Sequence, residues 1–300
     1  MWTRILPLNP NRLMRLARTE ITNTVGVLVP DMGNPFYYPF LQGVETIAHK
    51  NQTMLFVCDS HDELQEMLRA FAQLAAQHID GIIAVSAKLN ELVSQRSLPS
   101  AVLPVVTADW PDCTGYSVQM DLKNAGVEAT RHLVQHGHRR IGLITHYGDA
   151  SNVRPVNQGY AAALKAAHIH MDESLIARVR GWDLEAGRQG AQQLLGLPKP
   201  PTAIFAMADM LALGGMEAIH KAGLQIPRDI ALTSFNNIAF AGLVQPALTT
   251  VMAPAYELGR EAMKMLQLLI AGKQPARKRV TLPTSLVIRE SCGRHDGSGK

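Results

Sequence analysis

Cysteine is scarce in this chain. Cys58, Cys113 and Cys292 are the only three, far apart and odd in number. No CxxC pair exists, which argues against a disulfide framework or a zinc ribbon and fits a reducing cytoplasm. Aromatic residues make up 5%, too few to suggest an exposed platform for stacking bases. No run of eighteen apolar residues occurs, so a membrane-spanning helix is not expected. Near the amino terminus Pro7 and Pro10 interrupt Ile5 and Leu6, which argues against a signal peptide. There is no G-x-S-x-G elbow, H-E-x-x-H helix or G-x-G-x-x-G loop. The expectation is therefore a chain that is not an enzyme and uses no cofactor. Gly299–Lys300 lacks P-loop spacing, and residues 293–300 read as a disordered tail.

What is present is ordinary for a globular protein: 47% hydrophobic and 18% charged residues. A length of 300 residues suits two α/β lobes better than one small domain. The formal charge of +4 is concentrated at the start, where Arg4, Arg12, Arg15 and Arg18 face Glu20 alone. Such a tail is either a solvated arm or a segment that neutralises phosphates.

The chain is organised around Thr24–Lys50. Val25–Val29 is an unbroken apolar run, as expected of a strand covered on both faces in a parallel sheet. Pro30 ends it. Asn34 stands at an N-cap position with Pro35 at the first helical position. Phe36, Phe40, Leu41, Val44, Ile47 and Ala48 then recur at helical spacing. Ligands bind beyond the carboxyl ends of strands in a doubly wound sheet, and Asn34, Phe36 and Tyr37 follow such an end. Spacing by itself favours the plainer reading, Phe36 as core and Asn34 as cap.

Strand and helix signals alternate from Thr24 onward. Met54–Cys58, Ile79–Ile83 and Pro104–Asp109 read as strands, and Leu64–Gln77 as a helix. A second set follows Asp121–Asn124: a helix to about Gln135, a strand at Ile141–Ile144, a helix at Asn157–Ala167, then Ile176–Val179, Glu185–Leu195 and Thr202–Ala206. The repetition predicts two doubly wound parallel-sheet lobes.

Several stretches resemble the effector-binding core of the lactose-repressor (LacI/GalR) family of bacterial transcription regulators. They are Val25–Asp31 with Asn34–Tyr37, Ile79–Ile83, Gly137–Ile144 as GHRRIGLI, Ile226–Leu232, Pro246–Val251 and Arg289–Ser291. The motifs are collinear from about Asn9 to Cys292. The resemblance implies a type I periplasmic-binding-protein-like fold with a ligand in the inter-lobe cleft. It implies a first lobe of residues 24–121 plus about 252–278, and a second of 122–251 plus about 279–292.

The same resemblance implies ligand-binding roles for Asn34, Phe36, Tyr37, Asp109, Arg154, Trp182 and Asn236. Arg154 would present its fork to neighbouring oxygens, and Trp182 would cover one face of a sugar. Each has a plain alternative: a packed Trp182, a solvated loop Arg154, an Asp109 that caps a turn. Three departures from the family pattern bear on the ligand. Ala208 stands where the family has an Asn, Asn236–Asn237 where it has Asp–Asp, and Trp110 where it has an Arg. The first removes a ligand amide; the second removes a carboxylate while Arg154 stays, which points to a sugar acid or phosphate; the third removes a positive charge and pulls the other way.

Residues 1–23 read as a basic hinge remnant. The family pattern there is PNxxARxLR; this chain has Pro10–Asn11, Arg15 and Arg18, with Met14 and Ala17 at the Ala and Leu positions. Arg12, Arg15 and Arg18 would share one helical face, with Leu16 adjacent, as the DNA-contacting set. The helix-turn-helix that precedes this hinge in the family is not among these residues, so weak or no specific operator binding is expected. The expected protein is a cytoplasmic, homodimeric repressor without a membrane role. The rival is a sugar-binding protein with no DNA role. His132, His136 and His138 have a spacing that could hold zinc, but no cysteine or carboxylate is expected to supply a remaining ligand nearby. Gly137 as a helix stop beside them favours a dipole explanation, so no metal is expected.

Overall fold

In a computed structural model of the chain, residues 21–85, 103–109, 111–147 and 152–293 are described. Arg12, Arg15, Leu16, Arg18 and Trp110 lie outside the described residues, as does the tail from residue 294. The elements are β1 (Thr24–Val29), α1 (Tyr37–Lys50), β2 (Met54–Asp59), α2 (Leu64–Ala76), β3 (Gly81–Val85), β4 (Val105–Ala108) and β5 (Tyr116–Met120). There follow α3 (Leu122–Gln135), β6 (Ile141–His146), α4 (Val153–Ala166), β7 (Ile176–Val179), α5 (Leu184–Leu195), β8 (Ala203–Ala206) and α6 (Asp209–Lys221). The last are β9 (Ala231–Asn236), β10 (Thr249–Met252), α7 (Ala255–Ile270), β11 (Arg279–Leu282) and β12 (Ser285–Val287).

The strands form two six-stranded sheets of the same connectivity. The first runs β11-β5-β4-β3-β1-β2 and the second β12-β10-β9-β8-β6-β7. The β1, β3 and β4 pairings are parallel, as are those of β6, β8 and β9; β12 runs antiparallel to β10. This is the doubly wound α/β architecture. Through residue 32, from 39 to 118 and from 256 to 280, the described chain forms one compact unit. Residues 33–38, 119–255 and those from 281 on form the other.

Central strands are fully covered. Every residue of β1, β3 and β8 is buried, which is why their sequences are continuous apolar runs rather than alternations. β2 is equally apolar in sequence, yet it is an edge strand, and Met54, Phe56 and Val57 are exposed.

The helices close on glycines. A Cβ on Gly43 of α1 would overlap the Tyr256 carbonyl of α7, and one on Gly259 would overlap the Phe40 carbonyl. In the second unit the same relation joins Gly126 of α3 to Val156 and Gly159 of α4 to Lys123. The local sequences repeat as well: Gln42–Gly43 against Gln158–Gly159, and Gly259-x-Glu-Ala against Gly126-x-Glu-Ala. Side-chain-free positions let helix backbones approach to van der Waals contact.

Three sequence expectations shift. α1 begins at Tyr37, not Pro35, because Asn34 Oδ1 accepts from the Phe36 amide (3.1 Å) and forms a turn of its own. α4 begins at Val153, four residues before the expected Asn157. Pro155 lies in its first turn, where a missing N–H costs nothing. The closing segment divides: β11 pairs in the first sheet and β12 in the second, so the change of sheet falls at Pro283–Thr284 rather than at 279.

Candidate functional site

The carboxyl ends of the second sheet's strands carry most of the chemistry. β6 ends at His146, β7 leads through Arg180–Gly181 to Trp182, β8 leads to Asp209, and β9 ends at Asn236. β6 and β7 are neighbours in register, His146 opposite Val179. The rings of His146 and Trp182 stack, with centroids 4.9 Å apart and planes 6° from parallel. Gly181 makes this possible: its φ of +120° is one that side chains rarely adopt. Asp183 then caps α5, accepting from the Ala186 amide at 2.8 Å. Trp182 is thus held between a reversal and a helix start, and it is half-buried. At the same edge the Arg180 guanidinium lies 4.7 Å from the ring centre of the exposed Tyr147.

Arg154 lies in the first turn of α4, between the fully buried Val153 and Val156. Those two anchors fix the helix and leave Arg154 half-buried. One turn on, Asn157 Oδ1 is 2.9 Å from the Thr145 hydroxyl of β6. The loop that carries Arg154 therefore follows β6, and the loop that carries Trp182 follows its neighbour β7.

Asp209 behaves unlike an open ligand contact. It is 0% exposed. One carboxylate oxygen accepts from the Ser234 hydroxyl and the Thr250 hydroxyl (2.7 Å); the other accepts from the Ile238 amide (2.7 Å). Burial raises its pKa to about 6, against the opposing pull of these donors and of Arg289. It ties β9 and β10 to α6. Asn236 and Asn237 stand just there, both at positive φ (+123° and +55°). Asn tolerates such backbone better than other side-chain-bearing residues. Arg289 completes the arrangement, donating to Asn237 Oδ1 (2.6 Å) and to the Leu248 carbonyl (2.7 Å).

Asn34, Phe36 and Tyr37 fall in the short segment grouped with the second unit, whereas the sequence placed them in the first lobe. Phe36 is buried at 6% exposure, and its ring meets Tyr37 edge-on at 5.0 Å.

In the first unit, Asp109 follows β4 with φ +55° and donates its amide to the Val118 carbonyl (2.9 Å). Its Oδ1 is buried with no hydrogen-bond partner among the described residues. Desolvation raises its pKa to about 7. Folding therefore favours the neutral acid. That stabilisation is complete below the unfolded carboxyl pKa of about 4 and is lost as pH rises through about 7. Asp109→Asn keeps the shape, tolerates the left-handed backbone and removes the charge. The variant is expected to be more stable than the wild type at pH 8, the two converging toward about pH 4. Urea unfolding midpoints across that range check it; parallel curves at every pH would contradict the assignment.

Sequence reasoning missed His146, Asp209 as a hub, and Arg289. A polar residue closing an apolar strand, as His146 does, was the available signal. It also held that no cysteine lies near the histidine run, and the fold overturns this. Cys292 Sγ is 3.1 Å from His132 Nε2 across 160 positions of sequence. His138 instead pairs with Thr202 (2.9 Å).

Residues 130–292 match the periplasmic binding protein-like domain family. The chain is similar to the HTH-type transcriptional repressor CytR of Escherichia coli (strain K12), 31% identical over 285 residues, spanning 94% of this chain and 83% of that protein. Among solved structures it resembles a LacI family transcriptional regulator from Enterococcus faecium with bound ribose. That match has a TM-score of 0.82 and 28% identity, over 90% of this chain and 98% of the other. It also resembles a transcriptional regulator CelR–cellobiose complex, with a TM-score of 0.83 and 27% identity over 93% and 88% of the two chains.

Proposed function

The chain belongs to the LacI family of transcription regulators, and from that premise we propose that it is an effector-responsive repressor. Its ligand is a small sugar or sugar derivative held at the carboxyl edge of the second sheet. The observation that carries this is the His146–Trp182 stack across the neighbouring tips of β6 and β7, with Arg154 in the first turn of the helix that follows β6. A flat apolar ring suits the C–H face of a sugar, and a guanidinium suits its oxygens. Two structural relatives were solved with ribose and with cellobiose, which supports the sugar class. Asp209 spends its oxygens internally and Asn236 is neutral. Arg154, together with Arg180 at the same edge, then sets its charge, which favours an acidic sugar or a sugar phosphate over a neutral one.

Effector binding shifts the balance between two arrangements of the protein that differ in affinity for operator DNA. Where a helix-turn-helix headpiece is present, the basic segment with Arg12, Arg15, Leu16 and Arg18 is the hinge that meets DNA, and effector and operator then alter each other's affinity by the same factor. The exposed apolar edge strand β2, with Met54, Phe56 and Val57, is a surface suited to a second copy in a homodimer.

Calorimetry against pentoses, hexoses, sugar acids and sugar phosphates tests the ligand class. The expected result is saturable binding by one group, strongest for an anionic member and weakened by salt. Failure of every member to bind would remove the sugar reading.

A further inference from the structure

We propose that His132, His136 and Cys292 form a zinc site that clasps the end of the chain to helix α3. The three donor atoms lie within 4.8 Å of one another, the one such group among the described residues. His132 and His136 are one helical turn apart in the last turns of α3, so they project from the same face. Their ring centroids are 4.6 Å apart. His132 and Cys292 are buried and His136 is half-buried, so an ion has a route in from the His136 side.

The cysteine is presented by a rigid segment. Arg289 is held at Leu248 and Asn237, Glu290 accepts from the Ala247 amide (3.0 Å), and Ser291 bonds both the Leu232 carbonyl (2.6 Å) and the Thr249 amide (2.9 Å). Gly293, at φ +112°, turns the backbone away beside His136. A sulfur fixed this way on two imidazoles is a preorganised ligand set, not a chance encounter of mobile side chains.

The chemistry of the donors selects the metal. Two imidazoles and one thiolate suit zinc and not magnesium or calcium, which take oxygen ligands. Zinc–nitrogen bonds of about 2.0–2.1 Å and a zinc–sulfur bond of about 2.3 Å place tetrahedral donors roughly 3.3–3.6 Å apart. Nε2 of His132 and Sγ of Cys292 are already 3.1 Å apart, within hydrogen-bond distance. Zinc takes the place of the thiol proton: the S–H bond breaks, the Zn–S bond forms, and one proton passes to solvent. Because binding releases this proton, it strengthens with rising pH. Three protein ligands leave a fourth position for water on the half-buried side.

The site lies away from the effector edge. Thr249 opens β10, and Cys292 Sγ is 3.0 Å from its hydroxyl. The Leu232 amide near the start of β9 donates to the Ser291 carbonyl at 2.7 Å. Cys292 is therefore at the amino-terminal ends of these strands, whereas Asn236 ends β9 at the opposite edge. The role is structural: zinc joins α3 to residues 289–292 across 160 positions of chain.

The test uses the full chain, reduced and stripped of metal, titrated with cobalt(II) as a spectroscopic stand-in and with zinc. Cobalt is expected to give a thiolate charge-transfer band and tetrahedral visible bands that saturate at one equivalent and vanish on adding zinc. Zinc at about 100 times its Kd is expected to raise the thermal midpoint by about 5 °C or more. Cys292→Ser should abolish the thiolate band, and Cys58→Ser and Cys113→Ser should keep it. His136→Ala, a half-buried position that folding tolerates, should weaken zinc binding about 100-fold and cancel the thermal shift. Should Cys292→Ser fail to fold, the His136→Ala result decides. Absence of the thiolate band in the wild type, its persistence in Cys292→Ser, or an unchanged zinc shift in His136→Ala would each overturn the site. None of these readouts depends on the effector or on DNA.

Discussion

Alanine at Gly126 or at Gly159 is expected to destabilise the second unit by about 3 kcal/mol or more, and to leave little folded protein in the double variant. The added Cβ on Gly126 overlaps the Val156 carbonyl oxygen, and that on Gly159 overlaps the Lys123 carbonyl oxygen. Neither obstacle is the tip of a flexible side chain. Relief requires α3 and α4 to separate, and both are fourteen residues long with a buried shared face. On an exposed helix the same change would stabilise by about 1 kcal/mol, since alanine is the better helix former. The sign therefore reports the packing. Gly215 is the internal control: its Cβ would meet Ala191 Cβ at 3.6 Å, an ordinary contact. Gly215→Ala should be neutral or mildly stabilising. Urea unfolding of the three single variants decides the matter, and a more stable Gly126→Ala would refute the close helix contact.

Effector binding is the second place where a large effect is expected. Trp182→Ala should weaken binding about 100-fold, since it removes both the platform and the ring that His146 stacks upon. Arg154→Ala should cost a similar factor, because charge-assisted hydrogen bonds contribute about 1.5–3 kcal/mol. Arg154→Lys should recover only part of it, as an ammonium cannot bond two oxygens in the fork geometry. Both side chains are half-buried, so the variants are expected to fold, and circular dichroism with calorimetry separates lost binding from lost structure. Tight binding that survives both alanine variants would move the effector elsewhere.

Much of this was legible before any coordinates. The apolar runs at Val25–Val29 and Thr202–Ala206 foretold strands, because a parallel sheet covers each strand on both faces and that burial leaves its mark in consecutive residues. Gly137 foretold a helix end, and it has positive φ (+88°). The family resemblance named Arg154 and Trp182 as ligand contacts. It missed His146, because a strand-terminal histidine has meaning only once its neighbouring strand is known.

Local pattern records how deeply a residue is covered and which turns the backbone must make. Those demands act within a few residues, so the alternation of strands and helices, and with it the doubly wound class, followed from the chain itself. Strand order is another matter, for it depends on which crossovers close. That is why β2, as apolar as β1, proved to be an exposed edge, and why Arg279–Leu282 and Ser285–Val287 went to different sheets. Only the folded chain could set Asp209 among Ser234, Thr250 and Ile238, or bring Cys292 to His132. Partners so distant are chosen by packing, and no periodicity in either segment carries the other's address.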